Sequence, residues 1–236
     1  MSTTSPVSAP RTARQRARLE LTAEIKATAR RHLADNGSSG LSLRAIAREL
    51  GMASSAIYRY FPSRDELLTA LIVDAYDAVG AAAEQADAEQ PRASIERRWM
   101  AATGAIRHWA LGDPHEYALI YGSPVPGYRA PQDTIDPATR VTLVLLRIAR
   151  DGVDGGTIRT GTRPAPIPRS VRDDLARIRD VAPDVPDEIL LRTLAVWAQL
   201  FGSISLELFG HTHGVIEDGD GFFELLMRQA MHFLIG

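Results

Sequence analysis

Residues 41–72 read LSLRAIARELGMASSAIYRYFPSRDELLTALI, and the spacing of apolar, capping and turn residues within them decides the fold. Ser42 is a good N-cap, and Leu43, Ile46, Ala47 and Leu50 follow at helical spacing until Gly51 ends the segment. Ser54 or Ser55 can cap the next helix, which stays short because Pro62 forces its end. Ser63 caps a longer helix with Asp65 and Glu66 in its first turn, where the macrodipole favours acids. Its apolar positions are Leu67, Leu68, Leu71, Ile72 and Ala75. Residues 42–61 therefore form a helix, a tight turn and a second short helix, the helix-turn-helix pattern.

Three aromatics crowd the end of that second helix, at Tyr58, Tyr60 and Phe61. One short helix cannot turn all three rings inward, so Phe61 is expected to anchor while Tyr58 and Tyr60 straddle Arg59 outside. Ser54 and Ser55 suit the edges of bases in a major groove, and Arg59 can reach a guanine or a phosphate. Tyr58 and Tyr60 suit phosphate oxygens, although either ring can instead pack in the head with its hydroxyl in water. Ser42 and the amides after it, Arg44, and Ser63 with Arg64 extend the same set of phosphate contacts. Charge agrees: residues 1–64 hold 11 Lys and Arg against 4 Asp and Glu, whereas the remainder holds 16 against 25. A basic head on an acidic body points to double-stranded DNA as the partner of the head.

Upstream, residues 1–14 lack periodicity and read as a disordered basic arm. Residues 16–36 read as a helix with Leu21, Ile25, Thr28, Ala29 and Leu33 on one face, stopped by Asn36-Gly37, with the turn at residues 38–40. The domain organisation expected is an arm over 1–14, a three-helix DNA-binding domain over 15–62 and a helical domain over 63–236. In the latter, Pro91 opens a helix and Asp113-Pro114 opens another. Residues 122–131 form an irregular loop, 134–150 a helix, and 151–168 a Gly/Pro-rich loop. Helices follow at about 169–180, 186–209 and 220–234, so the chain reads as all-α.

The 41–72 stretch resembles the DNA-binding head of the TetR family of transcriptional repressors, through its helix-turn-helix, its aromatic-Arg-aromatic-Phe end and the first turns of the following helix. It departs from the family pattern at Tyr60, where His is usual, and at Arg64, where Lys is usual. The resemblance implies a homodimer formed through the last two long helices, with its two recognition helices in successive major grooves of a pseudo-palindromic operator. A small-molecule ligand in the body is expected to favour a spacing of the two heads that no longer matches the half-sites. Residues 108–131, HWALGDPHEYALIYGSPVPGYRAP, further resemble the ligand-domain segment of an actinobacterial subfamily.

The body carries the residues such roles need. Residues 186–209 hold a wide apolar stripe, and Leu194, Trp197, Phe201, Ile204 and Leu208 with Phe222 and Met227 of the last helix form the expected dimer interface. Part of that stripe can equally be the chain's own core. Trp99, Met100, Trp109, Tyr117, Tyr121 and Tyr128 can line an apolar cavity with a few polar tips, as expected for an apolar or aromatic ligand, or can be ordinary core aromatics.

Other classes are disfavoured. The chain has no cysteine, which removes disulfides and thiol chemistry. His211 and His213 stand without a nearby carboxylate cluster, so neither a metal nor another cofactor is expected. No nucleophile elbow, zincin or phosphate-loop motif suggests an enzyme. No run of about 18 apolar residues predicts a membrane span, and MSTTSPVSAPRTARQR lacks the apolar stretch of a secretory signal, so the expected compartment is the cytoplasm. The expectation is a ligand-released repressor. The alternative is a DNA-binding regulator without a small-molecule effector, controlled by a protein partner or by abundance.

Overall fold

Helix formation begins at Thr12 in the computed structural model, which describes residues 12–37, 40–161, 166–179, 183 and 185–236. The Thr12 hydroxyl accepts from the Gln15 amide and the Gln15 side chain accepts from the Thr12 amide. This capping box starts α1, Ala13–Asn36, so the last two residues of the expected arm, Ala13 and Arg14, are helical. The rest of that arm, residues 1–11, and the turn residues Ser38 and Ser39 lie outside the described residues. Helix α2, Leu43–Glu49, is capped by Ser42, whose hydroxyl accepts from the Ala45 amide at 3.4 Å. Gly51 then adopts φ 64°, donating to Arg48 O while Met52 donates to Ala47 O. That pair of bonds is a Schellman motif, and only glycine takes its left-handed position without strain.

The expected second helix is shorter than an α-helix: Ile57–Arg59 is a single 3₁₀ turn, and neither Ser54 nor Ser55 caps it. The chain closes i→i+3 bonds from Ala56 to Ala53, Arg59 to Ala56 and Tyr60 to Ile57, with an i→i+4 bond from Phe61 to Ile57, and Pro62 has no N–H to continue the series. Helix α3, Arg64–Ala88, follows with Ser63 accepting from the Glu66 amide at 3.1 Å.

Downstream lie α4 (Ile95–Gly112), α5 (Pro114–Tyr121), α6 (Ile135–Asp154), α7 (Arg169–Arg179), α8 (Asp187–Leu208) and α9 (Gly219–Ile235), with a 3₁₀ turn at Gln132–Thr134. No strand occurs among the described residues. Pro91 does not open α4 as expected: Ser94 donates to Pro91 O in a turn, and the helix begins four residues later. Helix α6 extends into the expected 151–168 loop, of which residues 162–165 lie outside the described residues. Contrary to the expectation of no apolar span, α8 is long and apolar enough to cross a membrane by length and composition alone. Its Ile189, Leu190, Val196, Leu200, Phe201 and Ile204 are nevertheless buried, as in the core helix of a folded domain.

The chain divides into two compact units. The first holds the described residues up to Leu71 together with Val125–Tyr128, and the second holds Ile72–Pro124 and Arg129–Gly236. The boundary falls nine residues beyond the expected Pro62, because Leu67, Leu68 and Leu71 of α3 bury in the first unit. Val125–Tyr128 belong there too, with the Tyr128 hydroxyl 2.8 Å from Thr69 Oγ1.

In the second unit α8 packs on α9 and α6, and α4 on α6 and α9. The Trp99 indole N–H donates to Met227 O at 2.8 Å, tying α4 to α9 at the core centre. Arg98 is 4% exposed and forks onto two carboxylates, Asp87 (Nε–Oδ1 2.6 Å) and Asp151 (Nη1–Oδ2 2.7 Å). Arg147 and Arg92 complete the network from outside, on Asp87 and Asp151 respectively. Burial alone pushes the Asp151 carboxyl up, but the bonds from Arg92 and Arg98 outweigh it and hold it below the ordinary aspartate value. A carboxylate so lowered contributes stability above its unfolded pKa of about 3.9 and loses that contribution as the pH falls further. Asp151→Asn is therefore expected to cost about 3 kcal/mol in urea unfolding at neutral pH. The variant should also lose less stability than the wild type on acidification below about pH 4.

Candidate nucleic-acid interface

Two caps and one anchor fix the helix-turn-helix. Glu49 at the end of α2 is held to α1 by Arg31 (2.8 Å) and His32 (2.7 Å). The Arg31 bond, followed by that of His32, holds its carboxyl below the usual range. Ile57 and Phe61 are buried, at 0% and 6% exposure, and pull the recognition segment onto the core of the first unit. With Phe61 inward, Tyr58 is exposed, Arg59 is exposed, and Tyr60 is half-buried. Ser54 and Ser55 lie exposed on the turn before them. Arg44 and Arg48 are exposed on α2.

The expected contact residues are not equally available. Ser54, Ser55, Tyr58 and Arg59 present free side chains on one short segment, as base reading and phosphate clamping require. The Ser42 and Ser63 hydroxyls are engaged as helix caps, accepting from the Ala45 and Glu66 amides. Arg64 donates from Nε to Leu41 O at 3.2 Å and pairs with Asp65 at 3.7 Å, so part of its guanidinium is spent on holding the start of α3. Arg18, which the sequence did not single out, lies with its guanidinium carbon 5.8 Å from the Tyr60 ring centroid. Its Nη2 donates to Arg59 O at 3.5 Å. No periodicity in α1 signals this, because the partner is 41 residues away.

The residues expected to line a ligand cavity separate into three groups. Trp109, Tyr117 and Tyr121 come together, with centroids 6.5 and 5.2 Å apart, and are joined by Tyr76, Phe201 and Trp197. Trp99 is fully buried with its N–H satisfied, and Met100 packs against the same core. Tyr128 lies in the first unit instead. Within the aromatic cluster, Tyr117 hydrogen-bonds Phe201 O and Ser205 Oγ, and Tyr76 donates to Ile120 O. The half-buried Tyr121 hydroxyl forms no hydrogen bond with a described residue. Burial pushes all three phenols up, so they are protonated donors at neutral pH. A cleft of about 440 Å³ at the α8–α9 connection, which the sequence reading missed, is lined by Arg107, Glu207, Asp220 and Phe222 among others. Its central charges are already matched, Arg107 pairing with Glu207 and Asp220.

The expected dimer residues also divide. Phe201, Ile204 and Met227 are buried in the chain's own core, and Leu194, Trp197 and Leu208 pack against it. Phe222 alone of the seven is exposed, and it is joined by Leu206, Leu225 and Phe233, at 50%, 53% and 55% exposure.

Comparison with known proteins places these features in a family. Residues 25–71 match the model of bacterial regulatory proteins of the tetR family, and residues 99–230 match the tetracyclin repressor-like C-terminal domain. The HTH-type transcriptional regulators Mb1846 of Mycobacterium bovis and Rv1816 of Mycobacterium tuberculosis are each 44% identical over 199 residues, covering 84% of this chain and 84% of theirs. The crystal structure of the regulatory protein SCO4313 aligns with a TM-score of 0.76 at 35% identity, over 95% of this chain and 100% of that one. A tetR-family regulatory protein from Rhodococcus RHA1 shares the fold at 19% identity, with a TM-score of 0.62 over 91% and 96% of the two chains.

The anchor and the outward ring separate cleanly by stability. Phe61→Ala should cost about 3–5 kcal/mol in chemical unfolding, whereas Tyr58→Phe, which removes only an exposed hydroxyl, should leave it within about 0.5 kcal/mol.

Proposed function

The chain belongs to the TetR family of bacterial transcriptional regulators, and on that premise we propose that it is a cytoplasmic, homodimeric repressor released from its operator by a small apolar or aromatic ligand. The observation that carries the DNA-reading half is the recognition segment, with Ser54, Ser55, Tyr58 and Arg59 exposed on one turn and Phe61 buried beneath them. The two serines and Arg59 read base edges, while Tyr58, Tyr60 and the amides behind Ser42 and Ser63 hold phosphates.

Dimerisation is supported by matching stripes on the last two helices. Ala195, Ala198, Gly202 and Leu206 on α8, and Phe222, Leu225, Gln229 and Phe233 on α9, are exposed at the same i, i+3, i+7, i+11 spacing. The small α8 residues let a partner helix approach closely, and the large α9 residues supply apolar area, as a four-helix interface requires. The two-fold axis would then present two recognition segments to a pseudo-palindromic site.

The ligand site proposed is the aromatic cluster around Tyr121, whose phenol lies among Tyr76, Tyr117 and Phe201 and lacks a protein hydrogen-bond partner among the described residues. A ligand acceptor there would complete it. Release requires that the ligand bind better to the conformation that does not fit the operator. The fully buried, satisfied Trp99 favours the second reading, a regulator controlled by a partner or by abundance. Under that reading no apolar or aromatic compound shifts operator affinity.

Selection of duplexes from a random pool by the purified full chain tests the proposal, and enrichment of no sequence would sink it. Against the enriched operator, Tyr60→Phe should weaken binding about equally across site variants, whereas Ser54→Ala and Ser55→Ala should change the preferred bases. Leu206→Glu combined with Leu225→Glu should convert the dimer to a monomer in analytical ultracentrifugation without loss of helical circular dichroism.

A further inference from the structure

Helix α1 is longer than the packing it makes. Its buried residues are Ile25, Thr28, Ala29 and Leu33, whereas every residue from Thr12 to Glu20 is exposed. At 1.5 Å per residue, the first two turns project roughly 12 Å beyond the packed portion. The helical face does not stop where packing stops. Stepping back by three or four residues from Leu33 through Ala29, Ile25 and the half-buried Leu21 reaches Arg18 and then Arg14. One face is thus apolar over the core and basic beyond it, while Arg16, two positions from each arginine, points to the opposite side at about 200°.

Arg18 fixes where that basic face lies. Its guanidinium stacks 5.8 Å from the Tyr60 centroid and donates to Arg59 O, the carbonyl that ends the recognition segment. Arg14, one turn further out on the same face, is exposed. The arrangement is unfavourable by itself. The first turn of α1 contains no acidic residue, so arginines crowd the positive end of the helix dipole with only the Thr12 cap to hold the turn. A polyanion lying along this face removes that conflict.

We infer that the projecting turns of α1 are a second DNA contact, in which Arg14 binds a backbone phosphate flanking each half-site and Arg18 keeps it in register with the recognition segment. The contact rests on the operator-binding reading above. It supplies affinity without sequence information, and it lengthens the duplex each protomer covers. Thr12 already caps the helix terminus, so the binding group is the arginine face rather than the terminal amides.

The test uses the full chain, the selected operator, and two duplexes, one trimmed to the half-sites and one extended by several base pairs at both ends. On the extended duplex, Arg14→Gln should lower affinity by about tenfold and reduce the salt slope by about 1.8 per dimer, one contact from each protomer. Arg16→Gln, which removes the same charge from the opposite face, should change either quantity by much less. On the trimmed duplex the wild type and Arg14→Gln should bind alike. Circular dichroism of Arg14→Gln should show no loss of helix, since the substitution relieves repulsion at the dipole. Equal losses for Arg14→Gln and Arg16→Gln, or equal affinity of the wild type for both duplexes, would overturn the inference while leaving operator binding intact. Failure of the wild type to select any duplex would instead remove the operator-binding reading and this contact with it.

Discussion

One unbroken helix serves two cores. Helix α3 runs from Arg64 to Ala88, and its buried residues Leu67, Leu71, Ala75, Val79 and Ala83 recur every four positions across the boundary at Leu71. A four-residue repeat drifts about 40° per step on a helix of 3.6 residues per turn, so the buried row winds around the rod. Leucines supply bulk in the first unit, and alanines with Val79 let neighbours approach in the second. At Gly80 a Cβ would fall 2.8 Å from Arg140 Cβ, so α6 can pass only because that position is bare. Arg140 then forks onto Glu84 at 2.7 and 2.9 Å and reaches Asp77 at 2.7 Å, clasping the second half of the rod from α6.

Arginine is put to two uses. Of the 27 basic residues only Lys26 is a lysine. In the second unit Arg98, Arg107 and Arg140 each pair with two acidic residues, and Arg147 pairs with Asp87, which is how an acidic sequence stabilises a helical body. A planar fork loses less freedom than a lysine chain in making such paired bonds. In the first unit Arg44, Arg48 and Arg59 remain exposed. The same side chain ties segments of the chain together in both units, at Arg31 and Arg64 in the first and at Arg98 and Arg140 in the second, and faces outward at Arg44, Arg48 and Arg59.

The head was legible because its signals are local. Ser42, Gly51, Phe61, Pro62 and Ser63 each act within a few residues, and a cap, a left-handed glycine and a helix-ending proline leave little choice of fold. The 3₁₀ form of the recognition segment was not legible, since Ser54, Ser55 and Pro62 mark its limits without specifying which hydrogen-bond series closes between them. In the body, periodicity found the helices but not their inward sides. On α8 and α9 both faces are apolar, so Ile204 and Met227 turning in while Leu206, Leu225 and Phe233 turn out is decided by which neighbours pack, not by hydrophobicity. The Arg18–Tyr60 and Tyr128–Thr69 contacts span 42 and 59 residues and carry no sequence signature.

The return of Val125–Tyr128 to the first unit decides how the chain can be divided. A unit made of one uninterrupted stretch of chain can be separated from its neighbour at a single point. Here the head borrows four residues from between Pro124 and Arg129, far along the chain, with Tyr128 hydrogen-bonded to Thr69. A head ending at Leu71 would therefore lack the Tyr128 hydroxyl beside Thr69, and no single cut separates the first unit from the rest of the chain.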